Sequence, residues 1–535
     1  MRSLFFIIIS FSTYVYGQKT IISNIHPVLR KSESFASYKR NNHHAFKSAY
    51  FKENTELIII KQELSKVIIE KINTNTLQIL SHKEYNDFAQ NVAPEKILKL
   101  GKKYYLFYYE SDSKNKNCKI NYREIDFSTG NFLDTGSLLI DVDKKDLFYL
   151  NQSKCSYQIS SDSSKLFVRY SHNVDRYKPE KSIITESFSV FDSNLKLIWS
   201  KDIKMLYPDN SMKNSSYLLD DNGTVFFISE ILPLGESKRI TNSYKPNYNY
   251  FLFSVNSTKD IGLEGKPIEL NVEGIINTPT LVQDNIGDVY IAGYYGFKSF
   301  VIANGIIIYK VSKDGEILTK NSVQFPKELI AKNRYNNLND CGEIANSFCG
   351  INNLIIKDFL RLEDNSYLIV GEEFKPPVFM PDGLVVAPYY KEIILTKIKI
   401  DGGIEWINKI AKNQSGTIAT IEKEYSPLSY KLISNKDELY IFYMDNKENS
   451  KISDNEIPKS NDLNTLVCDV VNINDGSINK IFITDSNIVE GVEIEAFNPL
   501  RILEVSKNNF VLECQLKKDK KSKGNNENIL VNITF

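Results

Sequence analysis

The residues best placed to do chemistry in this chain are Tyr294, Tyr295, Glu372, Glu373, Gln414, Tyr443 and Asp445. Each follows or closes a strand-like run: Tyr290-Ile291-Ala292-Gly293 precedes the tyrosine pair, Val370-Gly371 precedes the glutamates, and Leu439 to Phe442 precedes Tyr443 and Asp445. Aromatic faces beside carboxylates and an amide suit a sugar or a peptide. The same residues have a plainer use, since tyrosines at strand ends pack neighbouring sheets and acidic side chains keep loop rims solvated. Glycan hydrolysis or lysis by these carboxylates would require two of them, from separate segments, roughly 5 to 10 Å apart.

Other chemistries lack their signatures. The histidines are His26, His43, His44, His82 and His172. The adjacent pair would point its rings apart on a strand, and none joins a Cys/His cluster, so no metal site is expected. The Asp-Gly and Asp-Asn turns lack the alternating acidic ligands of a calcium loop. Ser312-Lys313-Asp314-Gly315 has the wrong spacing for the Ser-x-Asp-x-Gly-x-Thr-Trp turn of sialidases. No Gly-x-Ser-x-Gly, His-Glu-x-x-His or phosphate-binding loop occurs, and no cofactor is expected. Trp199 and Trp406 hold equivalent places in a repeat, which reads as packing between repeats. Quinone-dependent dehydrogenases carry a tryptophan in most repeats, and two do not meet that pattern.

Cys341 and Cys349 share one loop-like stretch and would either close a short disulfide or stay as two thiols. Cys118, Cys155, Cys468 and Cys514 lie in strand patterns and read as small buried apolar residues. Lys+Arg and Asp+Glu both total 66, and this balance argues against nucleic acid as a partner. The run from Lys517 to Lys523 is short and reads as a solvated hairpin tip.

The elements that must position these residues form a repeat. One half-unit is an apolar strand, a tight polar turn and a second strand rich in Tyr, Phe and Ile. It occurs at Leu281 to Gly293, Phe359 to Gly371 and Tyr430 to Tyr443. A second half-unit occurs at Ile308 to Leu318, Leu395 to Trp406 and Ser189 to Trp199. Their Asp-Gly and Asn-rich turns supply the positive φ that hairpins demand. Two hairpins make a four-stranded blade that cannot bury its apolar faces alone, so the blades must stack in a ring. Complete units fall near 96–133, 154–202, 214–270, 278–322, 353–410 and 428–482. Residues 499–535 and Leu57 to Leu80 supply further strands, and the economical reading joins the two ends in a seventh blade. The expectation is thus an all-β, seven-bladed propeller occupying 55–535, after a lead-in at 18–54, with eight blades, or six plus an N-terminal extension, as the alternatives.

Arg2, the apolar run from Leu4 towards Val15, and small residues at Val15 and Gly17 read as a secretory signal, 1–17, with Gln18 first in the mature chain. No cysteine follows the apolar run closely, so a lipid anchor is not expected, nor is a membrane span.

The strings Tyr290 to Tyr295, Val370 to Glu373, Trp406 to Gln414 and Tyr440 to Asn446 resemble a family of uncharacterised secreted propeller-like proteins of Bacteroidetes. The resemblance is strongest between Asp220 and Asn446 and implies fold and cell type, with no established activity. No C-terminal sorting domain is apparent, which favours periplasm beside secretion.

The long insertions, Glu230 to Asn249, Gly293 to Asn304, Pro326 to Asn352, Gly371 to Tyr390 and Met444 to Asn464, should all emerge on one face. Loops on a rigid scaffold are where binding usually resides. The chain therefore reads as a monomeric, non-enzymatic binding or scaffold propeller whose partner is an envelope protein or a glycan. The alternative is the carboxylate-dependent glycan hydrolase or lyase.

Overall fold

The computed structural model describes residues 15–16, 21–22, 28–31, 35–36, 46–63, 65–89, 92–112, 117–143, 155–172, 182–233, 247–258, 260–261, 267–270, 274–297, 302–331, 350–379, 385–416, 428–452, 456–460, 462–484, 488–516 and 527–535. They form a β-propeller of 8 blades, each built on four antiparallel strands. Blade one spans 46–85, two 92–143, three 156–204, four 212–270, five 275–324, six 354–410 and seven 430–482. Blade eight takes three strands from 492–534 and its fourth, Val28–Lys31, from the other end of the chain.

The expected seventh-blade closure is therefore corrected to an eighth. The Leu57 to Leu80 stretch is not half a blade. Phe46–Glu53 pairs on its inner side and Ile79–Tyr85 on its outer side, completing blade one. Phe46–Glu53 lies inside the expected lead-in, as does Val28–Lys31, which pairs antiparallel with Glu527–Thr534. Joining the ends was the right principle, applied one blade too early. The pair Val15–Tyr16 runs parallel beside Ile404–Ile410 of blade six, and Ile21–Ile22 parallel beside Ile478–Phe482 of blade seven.

Burial along the strands follows their distance from the axis. The second strand of blade five, Val289–Gly296, is buried at every position. The fourth, Ile317–Gln324, alternates between exposed and half-buried. A strand covered on both faces needs a continuous apolar run, whereas an outer strand needs only alternation. Apolar clusters occupy every joint of the ring. Fully buried examples are Ile60 and Leu106 between blades one and two, Leu100 and Leu166 between two and three, and Phe188 and Phe227 between three and four. The joint of blades eight and one holds Leu57, Ile59, Val511 and Leu530, so the circle is closed by core packing as well as by strand pairing. Full burial of a side chain such as Ile59 contributes about 2 to 3 kcal/mol.

The turns at 220–224, 284–288 and 362–366 link first to second strands. Asp220 Oδ1 accepts from the amides of Asn222 and Thr224, and Asp284 Oδ1 from Ile286 and Asp288. Gly287 at φ +95° and Asn365 at φ +63° supply the left-handed position. These turns also bond from blade to blade: Asp162 N to Asp221, Asp221 N to Gln283, and Asn285 to Asn365. Trp199 Nε1 donates to Gly223 O of the next blade, and Trp406 Nε1 to Ile473 O, so both tryptophans pack between blades as expected. Among the described residues no helix is long and apolar enough to cross a membrane.

Antiparallel order puts the second-to-third connections and those between blades on one face, the remaining turns on the other. On the first face lie the strand ends that flank the connections 172–184, 232–248, 297–304, 376–388 and 446–464 within blades, and 325–353 and 411–429 between them. On the second lie 54–55, 101–102, 220–224, 312–316, 435–437 and 507–508. One face carries the long loops.

Candidate functional site

The sequence-selected residues are buried. Glu372, Gln414, Tyr443 and Asp445 all have 0% relative exposure and meet at the joint of blades six and seven, near the loop face. Glu372 lies in the second strand of blade six, Tyr367–Lys375, and its closest partners come from the connection to blade seven. Lys412 Nζ lies 2.8 Å from Glu372 Oε1, and Ser429 Oγ donates to Oε2 at 2.7 Å. Lys412 also donates to Gln414 Oε1 at 3.0 Å, while Gln414 Nε2 donates to Met444 O at 2.8 Å. Burial drives the Lys412 pKa down, and the Glu372 charge works against that.

Beside this lies a second charged set. Lys480 Nζ sits 3.2 Å from Asp445 Oδ2 and 5.4 Å from the Tyr443 ring centre. Tyr443 donates to Asp469 Oδ2 at 2.7 Å. Burial raises the Asp469 pKa to about 6 despite the opposing pull of Lys480 and Tyr443, with Asp445 pushing the same way as burial. Asp445 Oδ1 also accepts from Asn449 Nδ2 at 2.6 Å. Neither Glu372 nor Asp445 is accessible, and each already holds a lysine. Glu372 is tied to the connection between the blades and Asp445 to another strand of its own blade, so as they stand neither can face a substrate.

The remaining candidates stand apart. Tyr294 is fully buried between blades five and six, its hydroxyl against Gly371 and without a hydrogen-bond partner. Tyr295 packs on the opposite side of the same strand, in the core shared with blade four. Glu373 is buried in the same strand, where its pairing with the third strand is irregular. Cys341 and Cys349 lie outside the described residues, as do His26, His43 and His44. His82 pairs with Glu70 at 3.1 Å, and among the described residues no group of His, Cys, Asp and Glu could hold a metal ion.

Sequence reasoning missed a cleft between blades three and four on the loop face, with a volume of about 280 Å³. Its lining comes from the first residues of the third strand of blade three (Thr185–Asp192), the connection 205–211, and the inner strand of blade four (Met212–Leu219). Met205 and Met212 are buried at its base, with Ile184 and Tyr207 half-buried beside them. Asn214 Nδ2 rests 3.4 Å from Met205 Sδ, and Ser229 Oγ donates to Asn214 Oδ1. Glu186 is held by Arg169 Nη1 at 2.7 Å and by the Tyr217 hydroxyl at 2.8 Å. Arg169 also stacks 4.1 Å over the Tyr217 ring. Burial raises the Tyr217 pKa, and the Glu186 charge raises it further, so the phenol stays a donor. Asp209 and Lys213 are different: among the described residues neither side chain has a hydrogen bond or ion pair. The string Tyr207-Pro208-Asp209-Asn210 reads as an ordinary turn and carries no signal of this cleft.

No family model matches the sequence, and no curated protein matches it. Three solved structures with a similar arrangement are distant. A Mycobacterium tuberculosis puromycin-hydrolysing peptidase is 8% identical with TM-score 0.38, covering 88% of this chain and 58% of its own. An acylaminoacyl peptidase of Pyrococcus horikoshii is 10% identical with TM-score 0.35, covering 90% and 59%. An oligogalacturonate lyase in complex with manganese is 9% identical with TM-score 0.36, covering 91% and 96%. The chain thus spans little more than half the length of these peptidases, and at this distance none of them bears on its activity.

Proposed function

We propose that this propeller is an exported binding protein of the cell envelope or its exterior, and that its loop-bearing face is the recognition surface. The observation that carries the reading is the cleft between blades three and four. It opens on the face of long connections and holds a carboxylate and an ammonium that nothing among the described residues neutralises. A rigid ring with its variable connections on one side is a scaffold on which loops can bind. The carboxylates that a glycan hydrolase or lyase would use, Glu372 and Asp445, are instead closed in ion pairs at zero exposure.

The test compares the two faces. Immobilised protein is presented with fractionated envelope glycans and peptides, alongside Tyr207→Ala on the loop face and Ile400→Ser on the turn face. Retention should fall with Tyr207→Ala and persist with Ile400→Ser. Retention that follows the turn-face change, or survives every loop-face change, would overturn the reading.

A further inference from the structure

From the charges at the cleft we infer its ligand class: a free α-amino acid with an apolar side chain. This rests on the loop face being the recognition surface.

The cleft offers three things. Met205, Met212 and Ile184 form an apolar base, with sulfur atoms that adapt to side chains of different shape. Asp209 lines one part of the wall as a carboxylate, and Lys213 lines another as an ammonium. Neither side chain is hydrogen-bonded or ion-paired among the described residues. Lys213 is exposed and Asp209 half-buried, so both are open to a ligand from solvent, whereas buried charges at the joints are matched in place, as with Glu186 and Arg169 at 2.7 Å and Lys412 and Glu372 at 2.8 Å. Two unmatched opposite charges beside an apolar base are complementary to a zwitterion. The carboxylate receives an α-ammonium, the lysine receives an α-carboxylate, and the side chain enters the sulfur-lined base.

Size narrows the class. A volume of about 280 Å³ sits below the usual range for drug-sized ligands, which suits one amino-acid unit rather than an oligosaccharide. A neutral sugar carries no charge to answer either Asp209 or Lys213. Glu186 is already satisfied by Arg169 and Tyr217, so it forms the wall without competing for the ligand's ammonium.

The experiment is titration calorimetry of the full chain with L-leucine, L-methionine, N-acetyl-L-leucine amide and glucose. Leucine or methionine should bind saturably. The acetylated amide, which lacks both charges, should bind at least about 10-fold more weakly, as loss of charge-assisted hydrogen bonds implies. Asp209→Asn and Lys213→Met should each weaken leucine about 10-fold while leaving the unfolding midpoint unchanged, since neither side chain is hydrogen-bonded or ion-paired among the described residues. Equal binding of leucine and its uncharged analogue, tighter binding of glucose, or no saturable binding of either amino acid would overturn the inference. The broader reading fails separately. If Asp209→Asn and Lys213→Met leave retention of envelope fractions intact while Tyr207→Ala abolishes it, the recognition surface stands and only the ligand class is wrong.

Discussion

Replacing Asp469 by asparagine should stabilise the propeller at pH 8 and about half as much at pH 5. Asp469 is fully buried, with 0% relative exposure, and its pKa rises from an ordinary 3.8 to about 6. A carboxyl whose folded value lies above its unfolded value takes up a proton on folding. Its contribution is complete below 3.8 and is lost as pH rises through about 6. At about 1.36 kcal/mol for each tenfold change in proton affinity, the ionised side chain costs the native state about 3 kcal/mol at pH 8. Asparagine removes that cost and keeps an oxygen to accept from the Tyr443 hydroxyl. Lys480 retains Asp445 at 3.2 Å, so the change leaves one lysine with one carboxylate. The assay is the urea midpoint of parent and variant at pH 5 and pH 8, followed by near-ultraviolet circular dichroism. A difference that is the same at both pH values, or a variant less stable at pH 8, would refute the reasoning.

The same physics gives further expectations. Lys412→Met should destabilise by about 3 to 5 kcal/mol in urea unfolding, because it strands the Glu372 carboxylate at zero exposure. Glu513→Gln should cost a similar amount, since this carboxylate joins Lys61 of blade one at 2.9 Å to Arg501 of blade eight at 3.0 Å across the ring's closing joint. Tyr294→Phe should raise stability by about 1 kcal/mol, as the lost hydroxyl is buried and unpartnered, and the thermal midpoint will register it. Gly371→Ala should be strongly destabilising because the added methyl meets that hydroxyl and ring, and the double variant with Tyr294→Phe should recover part of the loss.

The middle of the ring was legible because its signals are local. Blades two to seven announce themselves through apolar runs and positive-φ turns such as Asn285-Ile286-Gly287, where φ is +95°. Blade one hid its inner strand in Phe-Lys-Ser-Ala-Tyr-Phe-Lys-Glu, 46–53, whose charges break the apolar run. The closing strand Val28–Lys31 is four residues with no turn beside it, and its partner lies at the other end of the chain. No window along a sequence reports such a pairing. The candidate site divides in the same way. Glu372, Gln414 and Asp445 stand out in the sequence by their places beside strand runs. Their burial involves Lys412, Ser429 and Lys480, contributed by the connection between blades and by another strand of blade seven. Asp209 and Lys213 look like any turn and strand charges until the fold sets them beside the same hollow.

The pairing of Val28 with Thr534 has a consequence for biosynthesis. The ribosome makes the first partner long before the second. At about 5 to 20 residues per second, the interval is roughly 25 to 100 seconds. Throughout it Val28–Lys31 has no ladder to join, and the newest blade always presents a raw edge to the cytosol or to whatever escorts the nascent polypeptide. Ring completion is therefore the last event of assembly, and any premature stop in translation leaves an open arc rather than a smaller circle.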